Sequence, residues 1–214
     1  MKRILRTGPV LLLAALAGAL PPAAQAESNV QTGASTAAPG ASAHVDFSVT
    51  VPKLLYLRVG TGSAYTTGTL GAVTTVDLIQ FAPPAAAVGN GAAVASTGGD
   101  LTGGVETAAV VSNSGNVTLT ATSSGALSNG AGNTIAFTEI KTTAATLTST
   151  TALPAPVLVN GTSTNVVLTA PAAKLISQDA KWTYTYANTT TPPAGTYGGA
   201  NVNNGRVVYT ATMP

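Results

Sequence analysis

Residues 116–122 read Asn-Val-Thr-Leu-Thr-Ala-Thr, with Val117, Leu119 and Ala121 on one phase and Thr118, Thr120 and Thr122 on the other. A period of two is the mark of a strand with one buried face and one solvated face. The pattern recurs at Lys181–Ala187, where Trp182, Tyr184 and Tyr186 alternate with Thr183 and Thr185. It recurs again at Gly205–Thr212, through Val207, Tyr209 and Ala211, and at His44–Val51. In that last stretch Val45, Phe47, Val49 and Val51 oppose His44, Asp46, Ser48 and Thr50 until Pro52 stops the run. Leu54–Val59 is a continuous apolar run, as expected of a strand covered on both faces. Val73–Phe81, Val105–Val111, Thr134–Ile140, Val157–Val159 and Asn165–Thr169 complete the expected strands. Gly, Pro and Asn turn signals stand between them, including the hairpin-type pair Asn160-Gly161.

No segment carries a sustained apolar repeat at helical spacing; Ala170–Ala180 has room for one short helical turn. The Gly-rich stretch Ala82–Gly104 reads as a long loop rather than a boundary between subdomains. Many short strands joined by turns predict an all-β chain, a β-sandwich first and a barrel second. Val and Thr suit a pleated, half-buried surface, and a composition so poor in charge is unlike that of disordered chains.

The first residues set the compartment. Lys2, Arg3 and Arg6 precede an apolar run from Val10 to Leu20, then Pro21-Pro22 and the small-residue end Ala24-Gln25-Ala26. These are the three regions of a secretory signal peptide, with cleavage expected before Glu27. The apolar run is shorter than the roughly 20 residues that span a bilayer. The expected organisation is therefore a signal peptide over 1–26, a flexible leader over 27–43 and one β-sandwich domain over 44–214. The product is expected to be exported, to periplasm, cell surface or medium. Cysteine is absent, so core burial and backbone pairing must hold the domain without disulfides.

Export also changes the charge. The chain has 9 Lys+Arg and 7 Asp+Glu, a balance of +2. Losing Lys2, Arg3 and Arg6 leaves 6 against 7, or −1. The basic excess thus belongs to the leader, and no cluster of Lys or Arg remains to bind nucleic acid.

Groups for chemistry are few. The single histidine, His44, sits beside the leader, and no Gly-x-Ser-x-Gly elbow accompanies it. The carboxylates Asp46, Asp77, Asp100, Glu106, Glu139 and Asp179 are scattered along the chain, and most fall on a polar phase or at a turn. No phosphate loop, zinc motif or EF-hand loop is present. Gly98-Gly99-Asp100 with Gly103-Gly104 faintly resembles a calcium-binding nonapeptide, but it occurs once, without the period that makes such a site. No catalytic residue, cofactor or metal is expected. Charged residues make up only 7% of the chain, against about 25% in ordinary domains. A sheet with so little charge lacks the usual defence against edge-to-edge pairing, a property that an assembling subunit can use.

Three C-terminal motifs carry a resemblance: Trp182-Thr183-Tyr184-Thr185-Tyr186, Pro193-Ala194-Gly195-Thr196-Tyr197, and Arg206-Val207-Val208-Tyr209-Thr210-Ala211-Thr212. Together they resemble the last strands of bacterial fimbrial and spore-coat-U-like surface subunits. The front stretch Ser48-Val49-Thr50-Val51-Pro52-Lys53 is similar to the opening strand of some fimbrial major subunits. The resemblance implies an immunoglobulin-like β-sandwich, a periplasmic chaperone and assembly with sister subunits at the outer membrane. The disulfide common in such subunits is missing here, and only Val45, Phe47, Val49 and Val51 have the alternation a donated strand needs. Two functions follow as expectations. One is a structural or adhesive surface subunit that self-assembles by strand pairing, with those four residues as the assembly strand. The other is a monomeric secreted carbohydrate- or ligand-binding module that stacks its ligand on Trp182, Tyr184 or Tyr186.

Overall fold

The computed structural model describes residues 28–36, 39–65 and 72–214; the expected signal peptide lies outside them. Two units divide the chain, residues 1–51 and 52–214. In the first, the described residues form no strand or helix and every one is exposed. The expected strand at Val45–Val51 is therefore not part of a sheet. Its alternating residues Val45, Phe47, Val49 and Val51 are 71%, 90%, 86% and 73% exposed.

The second unit is an all-β sandwich of antiparallel sheets. Its strands are β1 (Leu55–Val59), β2 (Gln80–Phe81), β3 (Val94–Thr97), β4 (Val105–Ser112), β5 (Val117–Ser123), β6 (Leu127–Ser128), β7 (Thr134–Ile135), β8 (Ile140–Ala145), β9 (Ser163–Leu168), β10 (Ile176–Tyr186) and β11 (Val207–Thr212). β10 is the spine of the larger sheet. One edge pairs with β4 from Ile176 to Thr183 and with β3 at Thr185 and Tyr186. The other edge pairs with β8 from Lys181 to Tyr186. β3 and β4 thus act as one interrupted strand, and the turn between them bulges out. Gly104 makes that turn compact: its φ is +68°, and a Cβ there would stand 2.0 Å from Ser96 Oγ. β1 lies outside β4 and β2 outside β3. The smaller sheet has the order β11-β5-β9.

Alternation decides what fills the space between the sheets. Ala108 and Val110 of β4, and Ala180, Trp182 and Tyr184 of β10, meet Val117, Leu119 and Ala121 of β5 and Leu168 of β9 in one buried core. Trp182 and Tyr209 join the sheets, their ring centres 5.3 Å apart, and Trp182 Nε1 donates to the Leu153 carbonyl at 2.8 Å. Burying an indole without that acceptor would cost about 1–3 kcal/mol.

Several expectations change. Val73–Phe81 pairs only at Gln80–Phe81, while Val73, Val76 and Leu78 stay 47%, 64% and 41% exposed. Thr134–Ile140 divides into β7, a single 3₁₀ turn at Phe137–Glu139 and the start of β8. Val157–Val159 forms no strand. The part of Ala170–Ala180 with room for a helical turn instead starts β10 at Ile176. The expected loop Ala82–Gly104 contains a 3₁₀ turn, Ala85–Ala87, and strand β3.

Candidate functional site

β1 and β11 are the edge strands of their two sheets, and both belong to the 52–214 unit. They come together where Lys53 Nζ donates to the Pro214 carbonyl at 2.6 Å and Ser112 Oγ donates to Met213 Sδ at 3.4 Å. Further along, toward Val59 and Val207, they part around an open cavity of about 1230 Å³. Leu57 and Val59 line it from β1, Val207 and Tyr209 from β11, and Ile79 and Phe81 from the segment that runs into β2. Among the described residues neither edge strand has a second partner, so each presents a row of unpaired backbone groups. A wedge of this kind offers apolar side-chain room and backbone hydrogen bonds together.

Polar groups stand at the inner end of the wedge. The Tyr184 and Tyr209 hydroxyls are 3.2 Å apart. Burial, chiefly, pushes Tyr209 up to about 12, against the effect of the Tyr184 hydrogen bond and with help from Glu106. Tyr184 is raised well above its ordinary value for the same main reason. Glu106 follows the same phase of β4 as Ala108, Val110 and Ser112 and is buried. Loss of water, then the neighbouring charge and hydrogen bond of Asp77, then the charge of Asp100, raise it to about 8; the Asp100 N–H opposes them. Asp77 goes the other way. Burial alone would raise it, but the Thr61 hydroxyl and N–H, the Glu106 carboxyl and the Arg58 charge together hold it below its ordinary value. The two carboxyls thus titrate apart, Asp77 below its ordinary range and Glu106 above it.

The residues singled out from sequence separate. Val45, Phe47, Val49 and Val51 lie in the first unit. Trp182 is 0% exposed and part of the core, so no face of its ring is open to a ligand. Tyr184 and Tyr186 are nearly as buried, although both form part of the cavity wall. The grouping of Asp77, Asp100 and Glu106, with one oxygen of each within 4.8 Å of the others, was not expected from their positions. Two signals were available: Glu106, an acid on the inward phase of an apolar strand, and the Gly98-Gly99-Asp100 loop with its faint likeness to a calcium-binding repeat. Among the described residues, no helix is long and apolar enough to cross a membrane. Comparison with protein-family models, with curated proteins and with solved structures finds no match.

Proposed function

We propose that this chain is an exported, non-catalytic structural or adhesive surface subunit, fimbria-like in its assembly. Residues 45–51 of one copy enter the wedge between β1 and β11 of the next as an added strand. Val45, Phe47, Val49 and Val51 face the cavity, and the unpaired edges supply backbone hydrogen bonds. The observation that carries the reading is a pairing of opposites. A strand-patterned segment of the first unit is exposed and belongs to no sheet, and the 52–214 unit has an apolar opening between two edge strands without a second partner among the described residues. Exposed alternating valines with a phenylalanine are a liability for a monomer, and a use for them is assembly. A periplasmic chaperone would shield the same opening before assembly, in keeping with the resemblance at the C-terminal strands.

Light scattering on the chain purified from periplasm, over a wide range of concentration, tests this. Growth into ladders or fibres that stops when residues 43–51 are deleted is the expected result. A monomer at every concentration would overturn it and leave the cavity as the site of a small ligand, the second reading. Trp182 contributes no stacking surface to that second reading.

A further inference from the structure

Three carboxylates converge just past the end of β1, apart from any role in assembly. Asp77 arrives on the segment before β2, Asp100 on the turn between β3 and β4, and Glu106 on β4 itself. Acidic groupings are common without any ligand, but this one is buried on one side. Glu106 is 4% exposed, and its enclosed Oε2 receives no N–H or hydroxyl donor from the described residues; its neighbour is another acceptor, the Asp77 carboxyl. That orphaned oxygen has a direction. A Cβ built on Gly60 would stand 2.3 Å from Glu106 Oε2 and 2.3 Å from Asp77 Oδ2, so both oxygens lean over the same glycine. Gly60 has a φ of +80°, and it leaves the space a side chain would fill.

Neighbouring groups hold Asp77 and Asp100 in place without neutralising the set. Thr61 donates its N–H to Asp77 Oδ2 at 2.5 Å and its hydroxyl to Oδ1 at 2.7 Å. The Thr107 N–H donates to Asp100 Oδ1 at 2.6 Å, and Arg58 pairs with Asp100 Oδ2 at 2.8 Å. One guanidinium faces three carboxylates. The donors are all oxygen, with no imidazole or thiolate, which suits a hard cation rather than zinc or copper. They come from three separate backbone segments, and such a set adapts to the variable coordination of Ca²⁺ better than to the strict octahedron of Mg²⁺.

We propose that Asp77, Asp100 and Glu106 bind one Ca²⁺ ion. Water completes its shell on the cavity side. The ion ties the segment before β2 and the β3–β4 turn to β4, and so fixes one wall of the wedge. The sequence hides this site, because the three acids lie far apart and match no metal motif.

Calorimetric titration of the chelator-stripped full chain with CaCl₂, beside thermal unfolding with and without the ion, tests the proposal. One equivalent should bind, with Kd about 10⁻⁴ to 10⁻³ M as in extracellular calcium modules. Saturation should raise Tm by ~5 °C. Glu106→Gln keeps the shape and removes the carboxyl that would ionise against the cation; it should weaken binding at least about tenfold and abolish the Tm rise, a loss of roughly 1.4 kcal/mol or more in binding. If that variant fails to fold, Asp77→Asn is read by the same titration. Glu139→Gln, away from the site on Thr189, should bind as the unchanged chain does. Absence of heat and of any Tm rise would overturn the proposal. So would a response in either site variant equal to that of the unchanged chain, or one reproduced in full by Mg²⁺.

Discussion

Asp179→Asn should destabilise the 52–214 unit by about 2 kcal/mol near neutral pH, and the loss should disappear in acid. In the folded chain the Asp179 carboxylate accepts from the Thr148 and Ser149 N–H groups at 2.8 Å each, from the Ser149 hydroxyl at 2.9 Å and from the Thr148 hydroxyl. The Asp179 carbonyl also accepts from the Leu153 N–H at 3.1 Å. The residue therefore straps the 148–153 turn to β10, and that turn carries the Leu153 carbonyl that receives Trp182 Nε1. Burial is the largest single influence on Asp179 and would raise it, but the four donors together lower it from 3.8 to about 2. In a shielded site that difference would be worth about 2.4 kcal/mol; on this partly exposed carboxylate, screening reduces it to about 1 kcal/mol. The amide adds about another 1 kcal/mol, because its N–H₂ faces donors where an oxygen accepted; in acid the protonated Asp179 brings an O–H to the same donors, so this share also leaves the comparison.

The sign follows from the lowered value. The stabilisation is complete above the unfolded value of 3.8 and fades as pH falls through about 2. Trp182 is the one tryptophan of the chain and is fully buried, so its fluorescence reports unfolding directly. Thermal melts of both proteins at about pH 6 should differ by about 5 °C, and the gap should close toward pH 2. Equal stability at the higher pH, or a gap of the same size at the lower one, would refute the strap.

Three further outcomes are expected. Asn188→Ala should cost about 2–4 kcal/mol in chemical unfolding, because the fully buried Asn188 has a φ of 56° and holds the Gly89 N–H and the Ala87 carbonyl with its side chain. Gly60→Ala should lower Tm by several degrees, and combining it with Glu106→Gln should recover none of the backbone share, since a φ of +80° penalises any Cβ; full recovery in the double variant would contradict that. Phe47→Asp should abolish concentration-dependent growth in light scattering while leaving the Tm of the compact unit unchanged, because Phe47 is 90% exposed; a drop in Tm would instead place that ring in the fold.

The strands most legible in the sequence are those whose alternating residues include large apolar side chains. β5, the second half of β10, and β11 follow their phases residue by residue, with Val117, Leu119, Trp182 and Tyr184 buried and the threonines facing outward or partly covered. The strands that escaped are built from small or polar residues. β3 reads Val-Ala-Ser-Thr and β8 Ile-Lys-Thr-Thr-Ala-Ala, and neither carries enough apolar contrast to mark a face. The first half of β10 was hidden by the polar pair Gln178 and Asp179, of which Asp179 serves the strap rather than the core. Val45–Val51 shows the converse. Alternation tells which side chains a strand would bury once paired, and says nothing about which sheet, or whose, it pairs with. The carboxylate grouping could not be read for a related reason: convergence of Asp77, Asp100 and Glu106 depends on β1 lying against β4, a pairing between residues some fifty positions apart in sequence.

The double pairing of β10 sets a gradient of rigidity across the sandwich. From Lys181 to Tyr186 its backbone is held on both edges for most of its length, by β8 on one side and by β4 and β3 on the other, whereas β1 and β11 are each held on one edge only. Amide protons at the spine should exchange with deuterium only through global unfolding, and those of β1 and β11 through local opening. The molecule thus has a hard side and a soft side, and its soft side is the wedge. In the proposed assembly the two edge strands would open there to admit a seven-residue guest strand such as 45–51, while the core around the buried Trp182 stays closed.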